Sequence, residues 1–220
     1  MNSVRVSELF HSLQGEGSTL GTPAHFLRLQ GCAVGCSWCD TKYTWEGSGG
    51  EPRNVDDVFA SLEALGAARL LVVTGGEPLA HEGIASLLRA ALTRWHRVEV
   101  ETSGLEPPPI RDARLHYNWS PKLRSATGRA DETWAHADAF LQDPNTTLKV
   151  VVSDDADADE SLERAQLNRV PLDRLSWMPE GLTDEQLKSR GRWLAERCKR
   201  DGVRLSPRLH VWLWGARRGV

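Results

Sequence analysis

Gly31-Cys-Ala-Val-Gly-Cys-Ser-Trp-Cys-Asp40 places three cysteines, Cys32, Cys36 and Cys39, in a C-x3-C-x2-C loop. Thiolates at this spacing can wrap one face of a small inorganic cluster. A [4Fe–4S] cube normally takes four cysteines. Three local ligands therefore leave one iron open to bind and activate a small molecule. Zinc fits less well, because its sites usually close with four ligands, often as two C-x2-C pairs far apart. Here there is one such pair, and the remaining cysteine is Cys198. The nearest histidine, His25, lies in a strand-like run on the other side of the loop. A disulfide would leave one of the three clustered thiols over.

Cys198 belongs to a different pattern. Thr183 and Gln186 read as a capping box, after which Leu187, Gly191, Leu194, Ala195 and Cys198 fall on one helical face. A cysteine there acts as a small buried hydrophobe.

Outward from the loop, strands and helices alternate. Strands are expected at 4–10, 25–29, 70–74, 98–102, 115–120, 148–152, 175–178 and 205–213. Val55, Val58, Phe59, Leu62 and Leu65 form an apolar helical stripe behind Asn54 as N-cap. Ile84, Leu87, Leu88, Ala91, Leu92 and Trp95 form a second. A weaker helix is expected over 131–141, and the acidic run at 154–160 reads as a solvated helix entry. Such alternation predicts right-handed βαβ units. The fold class expected is α/β: a partial, incomplete TIM-type barrel of about six βα units on a mainly parallel sheet, formed by one domain over residues 1–220.

The bulk numbers agree. The 220 residues suit one α/β domain, with 40% hydrophobic and 26% charged residues, ordinary for a soluble globular protein. A net charge of −3 argues against general nucleic-acid binding. No apolar run approaches a membrane span, and the first residues lack a signal-peptide core. A cytoplasmic location, where thiols stay reduced, is therefore expected. Of the nine tryptophans, Trp38, Trp45, Trp119 and Trp177 lie near the unusual strings, with core packing as their default role.

Five strings fall where parallel strands should end: the cysteine loop, T-G-G-E-P at Thr74, E-T-S-G at Glu101, S-P-K at Ser120 and M-P-E-G at Met178. Sites are built at that end in open sheets and barrels alike. Gly75 and Gly76 let a backbone edge approach a ligand, and Glu101 to Gly104 and Ser120 to Lys122 offer hydrogen-bonding groups suited to a nucleoside. Read singly, each string is also compatible with ordinary loop capping. L-Q-G-E-G, from Leu13 to Gly17, follows the N-terminal strand, and Gln14 can both donate and accept. Arg28, four residues before Cys32, suits a substrate carboxylate through paired hydrogen bonds. The hydroxyl of Thr41 is an acceptable but unselective ligand for Mg2+.

The cysteine spacing resembles that of the radical S-adenosylmethionine (SAM) superfamily, and G-G-E resembles its motif that cradles the SAM amino group. L-Q-G-E-G, R-L-x-G-C-x3-C-x-W-C-D-T, T-G-G-E-P, E-T-S-G, S-P-K, L-K-V-V and M-P-E-G occur in this order. Together they resemble the 7-carboxy-7-deazaguanine synthases, over most of the chain from about residue 8 to residue 181. That resemblance implies conversion of 6-carboxy-5,6,7,8-tetrahydropterin to 7-carboxy-7-deazaguanine with release of ammonia, in 7-deazapurine (queuosine) biosynthesis. It implies a [4Fe–4S] cluster held by Cys32, Cys36 and Cys39, with SAM and Mg2+ as the other cofactors. Thr41 would bind Mg2+. Leu13, Gln14, Gly15, Arg28 and Thr74 would hold the pterin. Trp38, Cys39, Asp40, Gly76, Glu77, Ser120, Pro121, Lys122, Met178, Pro179, Glu180 and Gly181 would contact SAM. It also implies a homodimer reduced by flavodoxin or ferredoxin. Some relatives end in a tail that reaches the substrate. Here the chain runs on through W-L-W-G-A-R-R-G-V, so Val220 is assigned no role and the surroundings of Arg217 and Arg218 stay open. The alternatives are another small radical SAM enzyme, such as a glycyl-radical-enzyme activase, and a non-catalytic iron–sulfur or zinc module.

Overall fold

The computed structural model describes residues 3–220. The described strands are β1 (Ser3–Leu13), β2 (Pro23–Leu29), β3 (Glu51–Asn54), β4 (Leu70–Gly75), β5 (Arg97–Thr102), β6 (Leu115–Trp119), β7 (Thr147–Val152), β8 (Leu175–Pro179) and β9 (Arg204–Leu205). They stand in one sheet in the order β3-β1-β2-β4-β5-β6-β7-β8-β9. From β2 to β9 every pair is parallel; β1 runs antiparallel to β2 and β3. The sheet does not close, and the expected partial barrel is what forms.

Helices α1 (Val55–Glu63), α2 (Ile84–Ala91), α3 (Ala130–Trp134), α4 (Ala137–Leu141), α5 (Asp155–Leu167) and α6 (Asp184–Asp201) follow β3, β4, β6, β7 and β8. No helix separates β5 from β6. Asn54 caps α1 by accepting from the Asp56 amide at 2.9 Å. The Thr183–Gln186 capping box opens α6, and Cys198 is buried with Leu194 in the main core, where burial pushes its thiol up to about 11.

Two expectations need correction. The helix over 131–141 is two short helices, broken at Ala135–His136. Residues six apart on one straight helix lie about 240° around the axis. The break brings both Trp134 and Phe140 onto Trp119, at ring distances of 5.3 and 5.1 Å. The strand over 205–213 is also absent. Pairing with β8 stops after Leu205, Pro207 has no amide donor to continue it, and α7 (Leu209–Trp214) follows. The short strand β3, which pairs with β1, was not among the strands expected.

Alternation along the strands sorts side chains onto two faces. Leu27, Leu29, Leu71, Val73, Val98, Val100, Tyr117, Trp119, Val150 and Trp177 face outward and form the core with the helices. The alternate residues face the bore. Phe10, Ala24, Phe26, Leu70 and Val72 make a small apolar cluster there, and next to it stand Glu99, Glu101, Asn118 and Lys149. A β-bulge between Val6 and Glu8 shifts the register of β1. Val6 therefore packs outward while Glu8 lies opposite Arg28 on the inner face.

Candidate active site

The bore opens into a cavity of about 250 Å³. A second, of about 20 Å³ beneath Ser206, is too small for more than a water or two. The larger cavity is lined by every residue singled out above for the cluster, SAM, Mg2+ or the pterin except Pro121, which is buried just beyond β6. Those residues come from two directions. The cysteine loop, Thr74 to Glu77, Ser120, Lys122 and Met178 to Gly181 form the carboxyl rim of the parallel strands. Leu13 to Glu16 enter from the opposite end, because β1 runs antiparallel to β2. Trp38 and Trp45 line the cavity, whereas Trp119 and Trp177 belong to the outer core.

The cysteine loop is pinned by its own backbone and by the neighbouring chain. Gly31 and Cys32 amides donate to Thr44 and Trp45 carbonyls at 2.6 and 3.3 Å. The Ser37 amide donates to Ala126, and Thr127 donates to the Val34 carbonyl. A Cβ on Gly76 would collide with the Gly31 carbonyl, and one on Gly75 with Leu29. The glycines of T-G-G-E-P thus admit the chain that carries the cysteines, in addition to leaving a bare edge on the cavity. The Trp45 indole N–H donates to Cys39 Sγ at 3.3 Å, and the Thr41 hydroxyl lies 3.5 Å from the same sulfur. Burial raises the Cys32 and Cys36 thiols, and the charge of Lys122 opposes the shift.

Three free thiols on one wall fit an iron–sulfur cube with one open corner. Among the described residues, no three His, Cys, Asp or Glu side chains converge as ligands of a single ion. A lone zinc would need all its ligands within about 2.3 Å of one point. Thr41 offers one hard oxygen beside that wall, suited to Mg2+ only if other oxygens complete the shell.

Glu77 is 1% exposed, and its carboxylate is filled from behind. It accepts from the Leu79 amide at 3.1 Å, the Thr102 hydroxyl at 2.5 Å, the Ser103 amide at 2.8 Å and the Ser103 hydroxyl. A carboxylate has about four acceptor positions, so this one braces the end of β5 against that of β4. Lys122 bonds Ser120 through its carbonyl and hydroxyl and lies 5.6 Å from the Trp38 ring.

Below the thiols the bore is charged. Gln14 donates to Glu99 and Glu101 at 3.4 and 3.2 Å, and its carbonyl accepts from the Glu16 amide. Its amide is therefore spent largely on the protein. Lys149 bridges Glu16 and Glu101, the latter at 3.0 Å. Burial would lower Lys149, but Glu101 and Glu16 outweigh it and hold the ammonium well above its usual range. Burial would raise Glu16, but Lys149 and Arg208 keep it well below the carboxylate range. Glu101 is raised, by burial and then by the negative charges of Glu16 and Glu99, against the pull of Lys149.

Arg28 uses its Nε on Glu8, at 2.8 Å, which leaves the two terminal nitrogens of its fork. Glu8 also accepts from Tyr43 and Arg218. These bonds overcome burial and keep its carboxyl below the usual range. Arg218 stacks 3.9 Å above the Tyr43 ring, while Arg217 is exposed. Val220 lines the cavity, as do Arg208 and His210, none of which was assigned a site role from sequence. A Cβ on Gly15 would collide with the His210 ring, so that glycine serves the C-terminal segment. Arg208 and His210 left no signal because their stretch reads as a strand. Lys149 did leave one, a lysine inside L-K-V-V.

Residues 27–116 match the radical SAM superfamily. The chain is 40% identical to the 7-carboxy-7-deazaguanine synthase of Pyrobaculum aerophilum, over 98% of this chain and 97% of that one. It is 36% identical to the synthase of Halobacterium salinarum, over 95% and 90%. Among solved structures, QueE from Escherichia coli superposes with a TM-score of 0.68 at 28% identity, covering 94% of this chain and 95% of that one. Streptococcus suis SuiB bound to S-adenosylmethionine, at 14% identity and a TM-score of 0.53, covers 80% of this chain and 44% of its own, and shares the fold alone.

Proposed function

This chain belongs to the 7-carboxy-7-deazaguanine synthase family of radical SAM enzymes, and on that premise we propose that it converts 6-carboxy-5,6,7,8-tetrahydropterin to 7-carboxy-7-deazaguanine with release of ammonia. The observation that carries the reading is the meeting of two ends in one cavity. Three thiols stand at the carboxyl rim, and a polar bore with an arginine fork lies below them. Cys32, Cys36 and Cys39 would hold the [4Fe–4S] cluster. Trp38 to Asp40, the Gly76 backbone, Ser120, Lys122 and Met178 to Gly181 would contact SAM, with Glu77 and Pro121 supporting them. When bound, cluster and SAM together supply the radical that starts the ring contraction.

The chain's own work is positioning and exclusion of water. The terminal nitrogens of Arg28 bind the pterin carboxylate, since Glu8 holds the Nε and fixes the plane of the fork. Thr41 would supply one hard-oxygen ligand to Mg2+. Leu13 to Gly15 and Thr74 border the ring, whose N–H groups meet the carboxylate of Glu101. Phe10, Phe26 and Met178 give the cavity apolar walls. We further propose a single domain over residues 1–220, a homodimer, a cytoplasmic location and reduction by flavodoxin or ferredoxin. The free thiols of the loop suit such a compartment. Among the described residues no helix is long and apolar enough to cross a membrane.

The test is anaerobic incubation of the reconstituted protein with SAM and the carboxytetrahydropterin. A new deazapurine chromophore is expected in the wild type. Arg28→Lys should raise KM for the pterin by about 10-fold or more, the worth of one charge-assisted bond, and leave SAM affinity unchanged. No chromophore from iron-loaded wild type rejects the reading.

A further inference from the structure

Arg208 touches three segments that are far apart in the chain. Its Nε donates to Glu16 at 3.3 Å, one terminal nitrogen to the Gly181 carbonyl at 2.6 Å, and the other to the Asp40 carboxylate. The side chain is 9% exposed. Asp40 follows the last cysteine of the rim, and Gly181 follows β8 on the same rim. Glu16 belongs to the loop after β1, which enters the cavity from the other direction and meets the rim here. Beyond Glu16, charges of alternating sign continue through Lys149 to Glu101, which also accepts from Gln14 and Asn118.

The segment around Arg208 is tied to the loop after β1 by more than charge. The Leu209 amide donates to the Gly15 carbonyl at 2.9 Å, and the Gly17 amide donates to the Ser206 hydroxyl at 3.1 Å. With His210 packed on Gly15, the loop and residues 206–210 form one block. The guanidinium thus gives this block a direct connection to Asp40 and Gly181.

We infer that Arg208 is a positioning residue that couples the two halves of the cavity, so that a pterin in the bore tightens the rim around SAM. The inference rests on the functional reading above. A planar guanidinium with fixed donors can hold three acceptors in one geometry; an ammonium on a flexible stem keeps the charge but not the arrangement. By linkage the effect is reciprocal, and SAM must tighten the pterin by the same factor.

The experiment is calorimetry of SAM binding to anaerobically reconstituted holoenzyme, with and without 6-carboxytetrahydropterin. Wild type is compared with Arg208→Lys and Arg208→Gln at equal iron and sulfide content. In wild type the pterin should tighten SAM by about 5-fold or more, the lower end of ordinary coupling. In both variants that factor should fall to about one, with SAM affinity in the absence of pterin changed by less than about 3-fold. The ratio of 5′-deoxyadenosine released to deazapurine formed should rise in step. Arg208→Lys decides the matter if the glutamine variant does not fold. Wild-type coupling in Arg208→Lys overturns the inference, as does wild type with no coupling. Wild type that makes the deazapurine while either of these holds leaves the functional reading intact. Wild type that neither binds nor converts the pterin removes both.

Discussion

Along β7, Leu148, Val150 and Val152 pack outward among the helices, while Lys149 points into the bore between two glutamates. β5 repeats the contrast, with Val98 and Val100 outside and Glu99 and Glu101 inside. In a closed eight-stranded barrel the interior is filled by layers of branched apolar side chains. Here seven parallel strands and an open side leave a cavity in the bore, and the main core lies on the outer face. The outer face supplies stability by burial. The inner face spends part of that stability on charges held where a ligand can meet them.

The sharpest break between the faces lies in the cysteines. Cys36→Ser should abolish product and lower the iron and sulfide retained on anaerobic purification, with the fold intact by circular dichroism. Cys198→Ser should leave iron content and turnover unchanged and shift Tm by only about 2–4 °C, the response to a loss near 1 kcal/mol. Iron lost equally from both variants would contradict the assignment.

The next contrast sets Lys149→Met against Leu148→Ala. Removing Lys149 leaves Glu101 buried without a cation and Glu16 with Arg208 alone, and should cost about 3–5 kcal/mol. Truncating Leu148 should cost about 2–5 kcal/mol through the cavity left behind. The costs are alike, but their pH dependence is not. Glu16 is held below its unfolded value in wild type, so its stabilisation is present above the ordinary carboxylate range and is lost as pH falls through it. In Lys149→Met the burial of Glu101 is unopposed, and stability should recover as pH falls and Glu101 takes up a proton. Leu148→Ala should keep the wild-type pH dependence. Parallel pH curves for the two variants would show that the bore charges are not coupled.

The smallest effect tests a polar group on the outer face. His25 Nδ1 accepts from the Trp95 indole at 3.0 Å, and Nε2 donates to the Gly66 carbonyl at 2.9 Å. Both nitrogens are used by the neutral ring. Burial lowers its pKa, and the bond to Gly66 only partly opposes that. A lowered histidine contributes stability above its unfolded value near 6.5 that is lost as pH falls below it. Between pH 7.5 and 5.5 wild type should lose about 1 kcal/mol more than His25→Gln, the worth of one buried hydrogen bond. Equal losses in urea titrations would mean the pair with Trp95 contributes nothing.

Much of the fold was legible because its signals are local. The Asn54 cap, the Thr183–Gln186 box and the periodic stripes of α1, α2 and α6 each depend on residues a turn or two apart. The rim was legible for a related reason: strand ends are marked by Gly, Pro and the cysteine loop. The failures came where distant contacts override local preference. Trp119 recruits two aromatics and breaks a helix. An edge strand with no partner beyond Leu205 gives way to α7. Glu77 and Gln14 look like ligands in sequence, yet their polar atoms are largely satisfied by Thr102, Ser103, Glu99 and Glu101.

The order of residues along the chain was enough to specify the three-thiol loop, the alternating α/β architecture and the strings at the strand ends, since ligand spacing and periodicity are properties of a chain segment. Only the folded molecule decided that L-Q-G-E-G enters the cavity from the opposite direction to the rim strings, that Lys149 sits between Glu16 and Glu101, and that Arg208 joins that loop to the rim. Those pairings link residues up to 192 positions apart, and they depend on strand direction, a bulge and an open sheet edge. No short-range pattern encodes such distances, because they arise from the packing of the whole sheet.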